Sequence, residues 1–174
     1  MTISKAITIA GLGCLGVIAA MQTGAQGGAT MTGKALPTFS AKSLSGAKVS
    51  NATLKGKVVL LDFWATWCGP CVKMSPTMQK LHTKYNKKGL VVIGMNLEGG
   101  TEDSDKAKAM DYVKKHKYTY LNTIGNDGLA SKLQVSGIPR FVLVDKKGKI
   151  IGDWTGSSDG FEKAVTPLIE KALK

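Results

Sequence analysis

One stretch, residues 58–78 (VVLLDFWATWCGPCVKMSPTM), constrains the fold of this chain more than any other part of it. The stretch begins with four consecutive apolar residues, which is typical of a strand that is buried on both faces. Beyond the sequence CGPC, apolar side chains recur at the spacing of one helical face. They are Cys71, Met74, Met78, Leu81 and Tyr85. The pattern predicts a buried strand that leads directly into a helix, with Cys68 and Cys71 at the junction.

Two thiols at a strand–helix junction indicate redox chemistry. The first turn of a helix has unpaired N–H groups and carries the positive end of the helix dipole, and both favour a thiolate. Cysteines of CxxC pairs in such positions have pKa values lowered to about 3.5–7.5. We expect Cys68 to be the more exposed cysteine and therefore to attack a substrate disulfide. Cys71, one turn further into the helix, then resolves the mixed disulfide.

A CxxC pair can also be half of a structural zinc site, which needs four protein ligands. The third cysteine, Cys14, lies in an N-terminal apolar segment, and the sequence has no second CxxC pair. The two histidines, His82 and His116, lie in lysine-rich helical stretches. A permanent disulfide across so short a loop would add little stability, which favours a reversible one. We therefore expect no metal and no cofactor apart from the redox-active disulfide.

These features belong to a longer pattern that resembles the thioredoxin superfamily. Residues 67–71 (WCGPC) match the active-site sequence of thioredoxins. Asp62, six residues before Cys68, stands where thioredoxins have a buried acid, and Pro76 stands where they have the proline that bends the active-site helix. Residues 137–144 (GIPRFVLV) resemble their cis-proline loop and the strand that follows it. The resemblance implies a thiol–disulfide oxidoreductase.

The pattern from residues 36–39 (LPTF) to residues 146–148 (KKG) looks more like the extracytoplasmic TlpA/ResA branch of that superfamily. The resemblance covers residues 35–174 and implies one thioredoxin-like domain. The expected fold is α/β, a three-layer α/β/α sandwich with a mixed central sheet. It should carry an N-terminal β-hairpin within residues 39–50 and an inserted helix and strand between residues 98 and 127.

Hydrophobic periodicity predicts the elements within this frame. We expect the active-site helix to end at Gly89, because glycine suits the end of a helix and two lysines precede it. The inserted helix is predicted over residues 105–117 and the strand after it over residues 118–124. On the inner face of that helix we expect Ala107, Met110 and Val113.

Asp62 lies within the predicted buried strand, where an unpaired carboxylate is costly. Burial should raise the pKa of Asp62 and let it move protons for Cys71, which is the role of the matching acid in thioredoxins. The alternative is a side chain at the strand end that reaches water. Thioredoxins usually place a lysine near this acid from the next strand, where this chain has Gly94. We predict Asp62 to be a catalytic residue.

The resemblance also implies the residues that shape the substrate site. We predict that Pro139 follows a cis peptide bond, which would place the Ile138 backbone beside the sulfurs as a short edge for an extended substrate. Trp67 is expected to be an exposed contact surface for partner proteins. Gly69 and Pro70, which lie between the cysteines, complete the predicted substrate-contact residues.

The implied function is reduction of disulfides in exported proteins, with electrons from a membrane thiol donor of the DsbD or CcdA type. The Gly-Pro dipeptide favours reduction, since thioredoxin is strongly reducing. One alternative is a dedicated apocytochrome c reductase of cytochrome c biogenesis. Members of the TlpA branch with that role often carry an acid where this chain has Met74. Glu98 could supply an acid near the site, although we expect a solvated loop residue. A second alternative is a non-catalytic binding module with the same fold.

Residues 1–25 are typical of a targeting segment. Lys5 precedes an apolar run over residues 6–21, no further charge occurs before Lys34, and small residues at 23–25 offer a cleavage site. The run has 16 residues, fewer than the roughly 20 that span a bilayer. We predict a cleaved signal peptide, with an N-terminal membrane anchor as the alternative. Either places the protein outside the cytoplasm, in the periplasm or the cell envelope.

The chain of 174 residues has a net charge of +12, almost wholly from lysine, since Arg140 is its one arginine. The lysines are scattered along the sequence without interleaved aromatic residues. This distribution favours a solvated basic surface over a nucleic-acid interface. The length suits one domain with a core of its own. We expect a monomer that binds no nucleic acid.

Overall fold

The computed structural model describes residues 30–174. The predicted targeting segment, residues 1–25, lies outside the described residues. None of the helices within residues 30–174 is long and apolar enough to cross a membrane. The elements follow one another as β1 (Ser40–Ser43), β2 (Lys48–Ser50), β3 (Val58–Trp64), α1 (Gly69–Tyr85), β4 (Leu90–Asn96), α2 (Glu102–His116), β5 (Leu121–Ile124), α3 (Asp127–Lys132), β6 (Arg140–Val144), β7 (Ile150–Thr155) and α4 (Phe161–Leu173).

The seven strands of the described chain form one mixed sheet in the order β2-β1-β5-β4-β3-β6-β7. β3, β4 and β5 are parallel neighbours, whereas β6 runs antiparallel to β3. The hairpins β1–β2 and β6–β7 are antiparallel. The mixed sheet, the N-terminal hairpin and the inserted pair α2–β5 are as predicted. Because the parallel strands end at the same edge, the loops that follow β3 and β4 meet there.

β3 lies in the interior of this sheet, and all seven of its residues are buried. Val58 and Leu60 belong to a core cluster with side chains of α1 and α4. Leu61 and Phe63 point to the opposite face and belong to a second cluster with side chains of α3. The strand is apolar without alternation because both of its faces are covered. These contacts produce the predicted layers, helix on sheet on helix.

α1 carries the chain from one edge of the sheet to the other. It ends at Tyr85, and a 3-10 turn over Asn86–Lys88 leads to Gly89. The φ angle of Gly89 is 105°, a left-handed conformation that favours glycine. Gly89 ends the helical segment as predicted, although the α-helix itself ends four residues earlier and a 3-10 turn completes the segment. The cysteines at the start of α1 therefore lie at the opposite edge of the sheet from its last turn.

α2 begins at Glu102, three residues earlier than predicted. Thr101 and Ser104 form a capping box, in which the Thr101 hydroxyl accepts from the Ser104 N–H at 3.3 Å and the Ser104 hydroxyl accepts from the Thr101 N–H at 3.1 Å. These bonds satisfy two donors at the helix start. β5 begins at Leu121 instead of residue 118.

The buried face predicted for α2 is wrong. Ala107 is exposed, Met110 is 47% exposed and Val113 is only half-buried, whereas Ala109 and Tyr112 are buried. The large ring of Tyr112 removes more apolar area from water than any other side chain that the helix could turn inward. Burial of this ring therefore sets the rotation of the helix.

Candidate active site

Cys68 and Cys71 lie at the N-terminus of α1 and form a disulfide, with 2.02 Å between their Sγ atoms. Cys68 is the N-cap residue of the helix, and its Sγ accepts a hydrogen bond from the Cys71 N–H at 3.2 Å. Cys68 is 5% exposed, whereas Cys71 is fully buried. The order of exposure is as predicted, and a thiolate at Cys68 would face the N–H groups of the first helical turn.

Asp62 is buried beneath the active-site helix. It lies on β3 between Leu60 and Trp64, on the face of the sheet that α1 covers. Trp64 shares a cluster with Cys71, so this face lies below the sulfurs. The residue is 1% exposed, and neither carboxyl oxygen has a hydrogen-bond partner among residues 30–174. Burial raises the pKa of Asp62 to about 8, as predicted in direction, and the alternative that its side chain reaches water is wrong.

The neighbour of Asp62 on β4 is Gly94, and the neighbour of Gly94 on β5 is Asn122. A Cβ atom on Gly94 would lie 2.1 Å from Asn122 Oδ1 and 2.8 Å from Trp64 Nε1. The side chains of Asn122 and Trp64 thus occupy the space above Gly94. The chain has no room for the lysine that thioredoxins place near this acid.

Several buried polar atoms lie near Asp62, Gly94 and Asn122. Trp64 Nε1, Asn122 Oδ1 and the Tyr120 hydroxyl are buried without a hydrogen-bond partner among the described residues, like the Asp62 carboxyl. Burial raises the pKa of Tyr120 well above its ordinary value, and the charge of Asp62 adds to the effect. Asp62 therefore shares a polar interior with an aromatic hydroxyl and an amide, although no basic side chain of the described chain pairs with it.

The peptide bond between Ile138 and Pro139 is cis, as the resemblance implied. Ile138 packs against the cluster that contains Cys68 and Cys71, so the structure brings this loop to the disulfide. Neither the N–H nor the C=O of Ile138 takes part in a backbone hydrogen bond with another described residue. The backbone of Ile138 is thus available to an extended partner chain.

Apolar surface surrounds Cys68. Trp67 is 66% exposed, and its Nε1 donates to the backbone oxygen of Glu98 at 3.2 Å, which fixes the position of the ring. Gly69 and Pro70 are exposed as well. The predicted contact residues Trp67, Gly69, Pro70 and Ile138 therefore lie around the cysteines on accessible or half-buried backbone.

The expectation that Glu98 is a solvated loop residue is wrong. Glu98 is 9% exposed, and its Oε1 accepts from the Thr66 N–H at 2.6 Å and from Asn96 Nδ2 at 3.0 Å. Its Oε2 accepts from the Thr66 hydroxyl at 3.0 Å. The carboxylate holds the loop between β3 and α1, two residues before Cys68. The parallel pairing of β3 and β4, which ends at Trp64 and Asn96, was the signal that could have located it.

A buried ion pair lies next to the cis-proline. Arg140 Nε and Nη2 donate to the two carboxyl oxygens of Asp153 at 3.0 and 2.8 Å, and both side chains are nearly inaccessible. Arg140 Nη1 also donates to the backbone oxygen of Gln134 at 3.0 Å. The pair ties the loop before Pro139 to β7. Sequence reasoning did not identify it.

Within residues 30–174, no three side chains of His, Cys, Asp or Glu lie close enough together to hold a metal ion. Met74, which stands where related reductases of cytochrome c maturation often have an acid, is buried in the apolar core with Met78. The groups that the structure brings together at this site are two sulfurs, one buried carboxyl group and accessible backbone.

The sequence matches known proteins over most of its length. The Redoxin family matches residues 31–168. A thiol-disulfide oxidoreductase ResA of Bacillus cereus is 33% identical over 141 residues, which are 78% of this chain and 79% of ResA. The thioredoxin-like protein YneN of Bacillus subtilis (strain 168) is 36% identical over 118 residues, which are 68% of each chain.

Solved structures share the fold as well. A DsbE-like thiol:disulfide interchange protein of Chlorobium tepidum superimposes with a TM-score of 0.72 at 30% identity, over 82% of this chain and 98% of the other. The thioredoxin domain of a thiol-disulfide oxidoreductase of Bacteroides vulgatus superimposes with a TM-score of 0.68 at 26% identity, over 79% and 97%. The likeness extends over nearly the whole of both solved chains.

Proposed function

The chain belongs to the Redoxin family of thioredoxin-fold proteins and is a thiol–disulfide oxidoreductase related to ResA, and we propose that it reduces disulfides in exported proteins. One observation carries the proposal: the Cys68–Cys71 disulfide caps α1, with the first cysteine slightly accessible at 5% and the second fully buried. Such a pair can accept and release two electrons without other cofactors.

The reduced protein starts the reaction with Cys68 as a thiolate. Its Sγ attacks one sulfur of the substrate disulfide, the substrate S–S bond breaks, and one substrate thiolate leaves. Cys71 then attacks Cys68 Sγ, which forms the Cys68–Cys71 disulfide and releases the second substrate thiolate. Two electrons pass to the substrate, and the two protons of the dithiol end on the released thiols. A membrane thiol donor would return the electrons.

Asp62 serves the second step. Cys71 must lose its proton before it can attack, and it is buried, so no bulk water is available to take the proton. The carboxyl group beneath α1 supplies a base whose pKa of about 8 lies near that of an ordinary thiol. Glu98 cannot take this role, because both of its oxygens already accept hydrogen bonds from the loop.

The substrate would bind as an extended segment across Cys68. The backbone of Ile138 offers it a donor and an acceptor, in the manner of an added strand. The exposed ring of Trp67 adds apolar contact next to the sulfur. Backbone pairing does not read side-chain identity, which supports a reductase with many substrates. A dedicated apocytochrome c reductase is the second candidate, and the burial of Met74 in place of an acid speaks against it.

The N-terminal segment supports a location of the protein outside the cytoplasm. A positive residue, an apolar run and small residues at 23–25 support export, by a signal peptide or with a retained anchor. N-terminal sequencing of the protein recovered from its cells tests this part. A mature chain that starts near Gln26 supports cleavage, full-length protein in the membrane fraction supports the anchor, and full-length protein in the cytosol contradicts export.

Turnover of insulin disulfides, with dithiothreitol as the source of electrons, tests the activity. The full-length protein should accelerate reduction, and Cys68→Ser should remove that acceleration. Cys14→Ser is the matched control, since it removes a thiol outside the CxxC pair and should leave turnover unchanged. Absence of acceleration by the wild-type protein would favour the non-catalytic binding module. A disulfide-bonded apocytochrome c peptide reduced more than about a hundredfold faster than insulin would favour the dedicated reductase.

A further inference from the structure

The lysines that are scattered along the sequence gather in space at one end of the molecule. β3 and β4 begin there, α1 and α4 end there, and the turn between β6 and β7 lies there. The Val58 N–H donates to the Gly89 oxygen at 3.3 Å, and Lys146 Nζ donates to the Leu173 oxygen at 2.7 Å, so these segments are in contact. We call this region the basic end. Its exposed lysines include Lys84, which pairs with Glu170, and eight others: Lys55, Lys57, Lys87, Lys88, Lys146, Lys147, Lys149 and Lys171.

Little negative charge offsets these eight lysines. Asp145 lies among them, and its Oδ1 accepts from the backbone N–H groups of Lys147 and Lys149 at 2.9 Å. Glu170 lies one turn before the end of α4 and is engaged by the Tyr85 hydroxyl at 2.6 Å. None of the eight lysines forms an ion pair with another residue in the range 30–174. These exposed lysines therefore have no carboxylate partner among the described residues.

The opposite end, which carries the disulfide, is rich in acids. The loops after the parallel strands and the first turns of α2, α3 and α4 contain Glu98, Glu102, Asp103, Asp105, Asp127, Asp159 and Glu162. Three lysines near this end form ion pairs with acids: Lys42 with Glu102, Lys73 with Asp159 and Lys80 with Glu162. Among the described residues, the basic end thus has fewer acids beside its lysines than the end that carries the sulfurs. The 17 residues of α1 separate the two ends by about 25 Å.

The basic end also has two cavities between its lysines, and aliphatic side chains line the base of each. A cavity of about 440 Å³ is bordered by Lys55, Lys57 and Lys146 and floored by side chains that include Val59 and Val144. A second cavity of about 450 Å³ lies around Lys149 and Lys171. Each cavity thus has lysines at its border and aliphatic side chains at its base. This combination suits a lipid surface, which offers phosphates to the lysines and hydrocarbon to the aliphatic side chains.

We propose that the basic end docks on an anionic lipid surface and holds the disulfide away from it. Lysines on several separate elements form a broad charged surface, which suits a plane of phosphates better than a single small ligand. The eight basic residues include no arginine, and the ring of Tyr85 beside Lys88 is buried, so the stacking and bidentate contacts typical of nucleic-acid sites are missing from this part of the described chain. Docked in this way, the sulfurs lie about 25 Å above the headgroups, within reach of soluble protein segments.

Cosedimentation with lipid vesicles tests this orientation with the full-length protein. Vesicles of phosphatidylcholine alone are compared with vesicles that also contain phosphatidylglycerol. The difference in bound protein between the two compositions isolates the electrostatic part, because any contribution of the N-terminal apolar segment is common to both. We expect stronger binding to the anionic vesicles, and we expect high salt to remove the difference.

Two triple variants with the same net charge decide where the lipid binds. The basic-end variant is Lys55→Gln, Lys57→Gln and Lys147→Gln. Its control changes three exposed lysines elsewhere and is Lys48→Gln, Lys108→Gln and Lys163→Gln. The first should weaken binding to anionic vesicles at least about tenfold and the second less than about threefold, since each lysine near an anionic surface matters severalfold. Unchanged circular dichroism in both variants shows that they fold.

Three outcomes would overturn the proposal. Equal loss in both variants would mean that net charge acts without a defined surface. Equal binding of the wild-type protein to neutral and anionic vesicles would mean that no electrostatic docking occurs. Binding to a double-stranded oligonucleotide as tight as to the anionic vesicles, at the same salt concentration and lost in the basic-end variant, would assign the surface to a nucleic acid instead.

Discussion

At the scale of single residues, the protein keeps an ionisable group where ionisation is costly. Asp62 has no hydrogen-bond partner among residues 30–174, and burial raises its pKa to about 8. A protonated carboxyl group loses less on burial than a carboxylate, so the group is neutral in most molecules at pH 7. The same property lets it exchange a proton with a thiol at little cost in driving force. Stability and proton transfer are therefore linked through one side chain.

This linkage predicts a pH dependence of stability. Asp62 binds its proton more tightly in the folded protein, with a pKa of about 8, than in the unfolded chain, with a pKa of 3.8. Stability that is fully present below pH 4 should therefore be lost as pH rises toward 8 and through it. Asp62→Asn should remove most of this slope and be more stable than the wild-type protein at pH 8, by a few kcal/mol.

Denaturant unfolding of the oxidised proteins from pH 4 to pH 9 checks this expectation. Asp111→Asn is the control, because it neutralises an exposed carboxylate and should leave the slope unchanged. Parallel pH profiles for the wild-type protein and Asp62→Asn would show that Asp62 does not change its protonation on folding.

The same residue should govern release of the substrate. In the wild-type protein, the rate at which Cys71 resolves the mixed disulfide should rise with pH as Asp62 loses its proton around pH 8. Asp62→Asn should slow this step by about ten- to a thousandfold near neutral pH. Stopped-flow measurement of the second step between pH 6 and pH 9 checks it. Identical profiles for both proteins would reduce Asp62 to a structural residue.

At the scale of elements, the site is built where strands and helices end side by side. β3 carries Asp62 and leads into the loop before the cysteines. Gly94 on β4 has no side chain, and the side chain of Asn122 on β5 occupies the space above it. The loop before α1 is held by Glu98 from the end of β4. The geometry of the disulfide thus depends on the packing of three parallel strands.

The close packing around Gly94 predicts the effect of adding one methyl group at this position. Gly94→Ala should lower the free energy of unfolding by about 1–3 kcal/mol, because the new Cβ would overlap the Asn122 carboxamide. Asn122→Ala in the same chain should recover part of the loss by removing that group. Gly128→Ala, with open space around its Cβ, is the control and should change stability by less than about 1 kcal/mol. A Gly94→Ala protein as stable as its control would mean that the side chains of Asn122 and Trp64 move aside at no cost.

Local motifs predicted the parts of this site that lie close together in sequence. The helix start at the cysteines, the burial of Asp62 and the cis bond before Pro139 all follow from short patterns, the last through family resemblance. Glu98 could not be placed in this way, because its burial depends on Thr66, which lies in the loop between β3 and α1. The rotation of α2 could not be predicted in this way either. Its small and apolar residues do not define one face, and the buried face depends on the packing of the Tyr112 ring.

At the scale of the whole molecule, the lysines of the basic end and the redox-active disulfide lie at opposite ends. The disulfide lies at an end rich in acids, and the basic end lies about one helix length away. The sequence predicted a basic surface but not its location, because lysines far apart along the chain meet only when β3, α1, the β6–β7 turn and α4 are brought together. The fold thus brings scattered lysines together at one end and exposes the ring of Trp67 at the other.

The proposed reaction depends on the roles of the two cysteines, in which Cys68 attacks the substrate and Cys71 resolves the mixed disulfide. Intact-mass spectrometry of single-cysteine variants incubated with insulin tests it most directly. Cys71→Ser should accumulate a reducible adduct of the protein and one insulin chain, mapped to Cys68, because a serine hydroxyl cannot displace the bound thiolate. Cys68→Ser should accumulate little, since Cys71 is fully buried. An adduct on Cys71 in Cys68→Ser with none in Cys71→Ser would reverse the roles, and no adduct in either variant would contradict the proposed reaction.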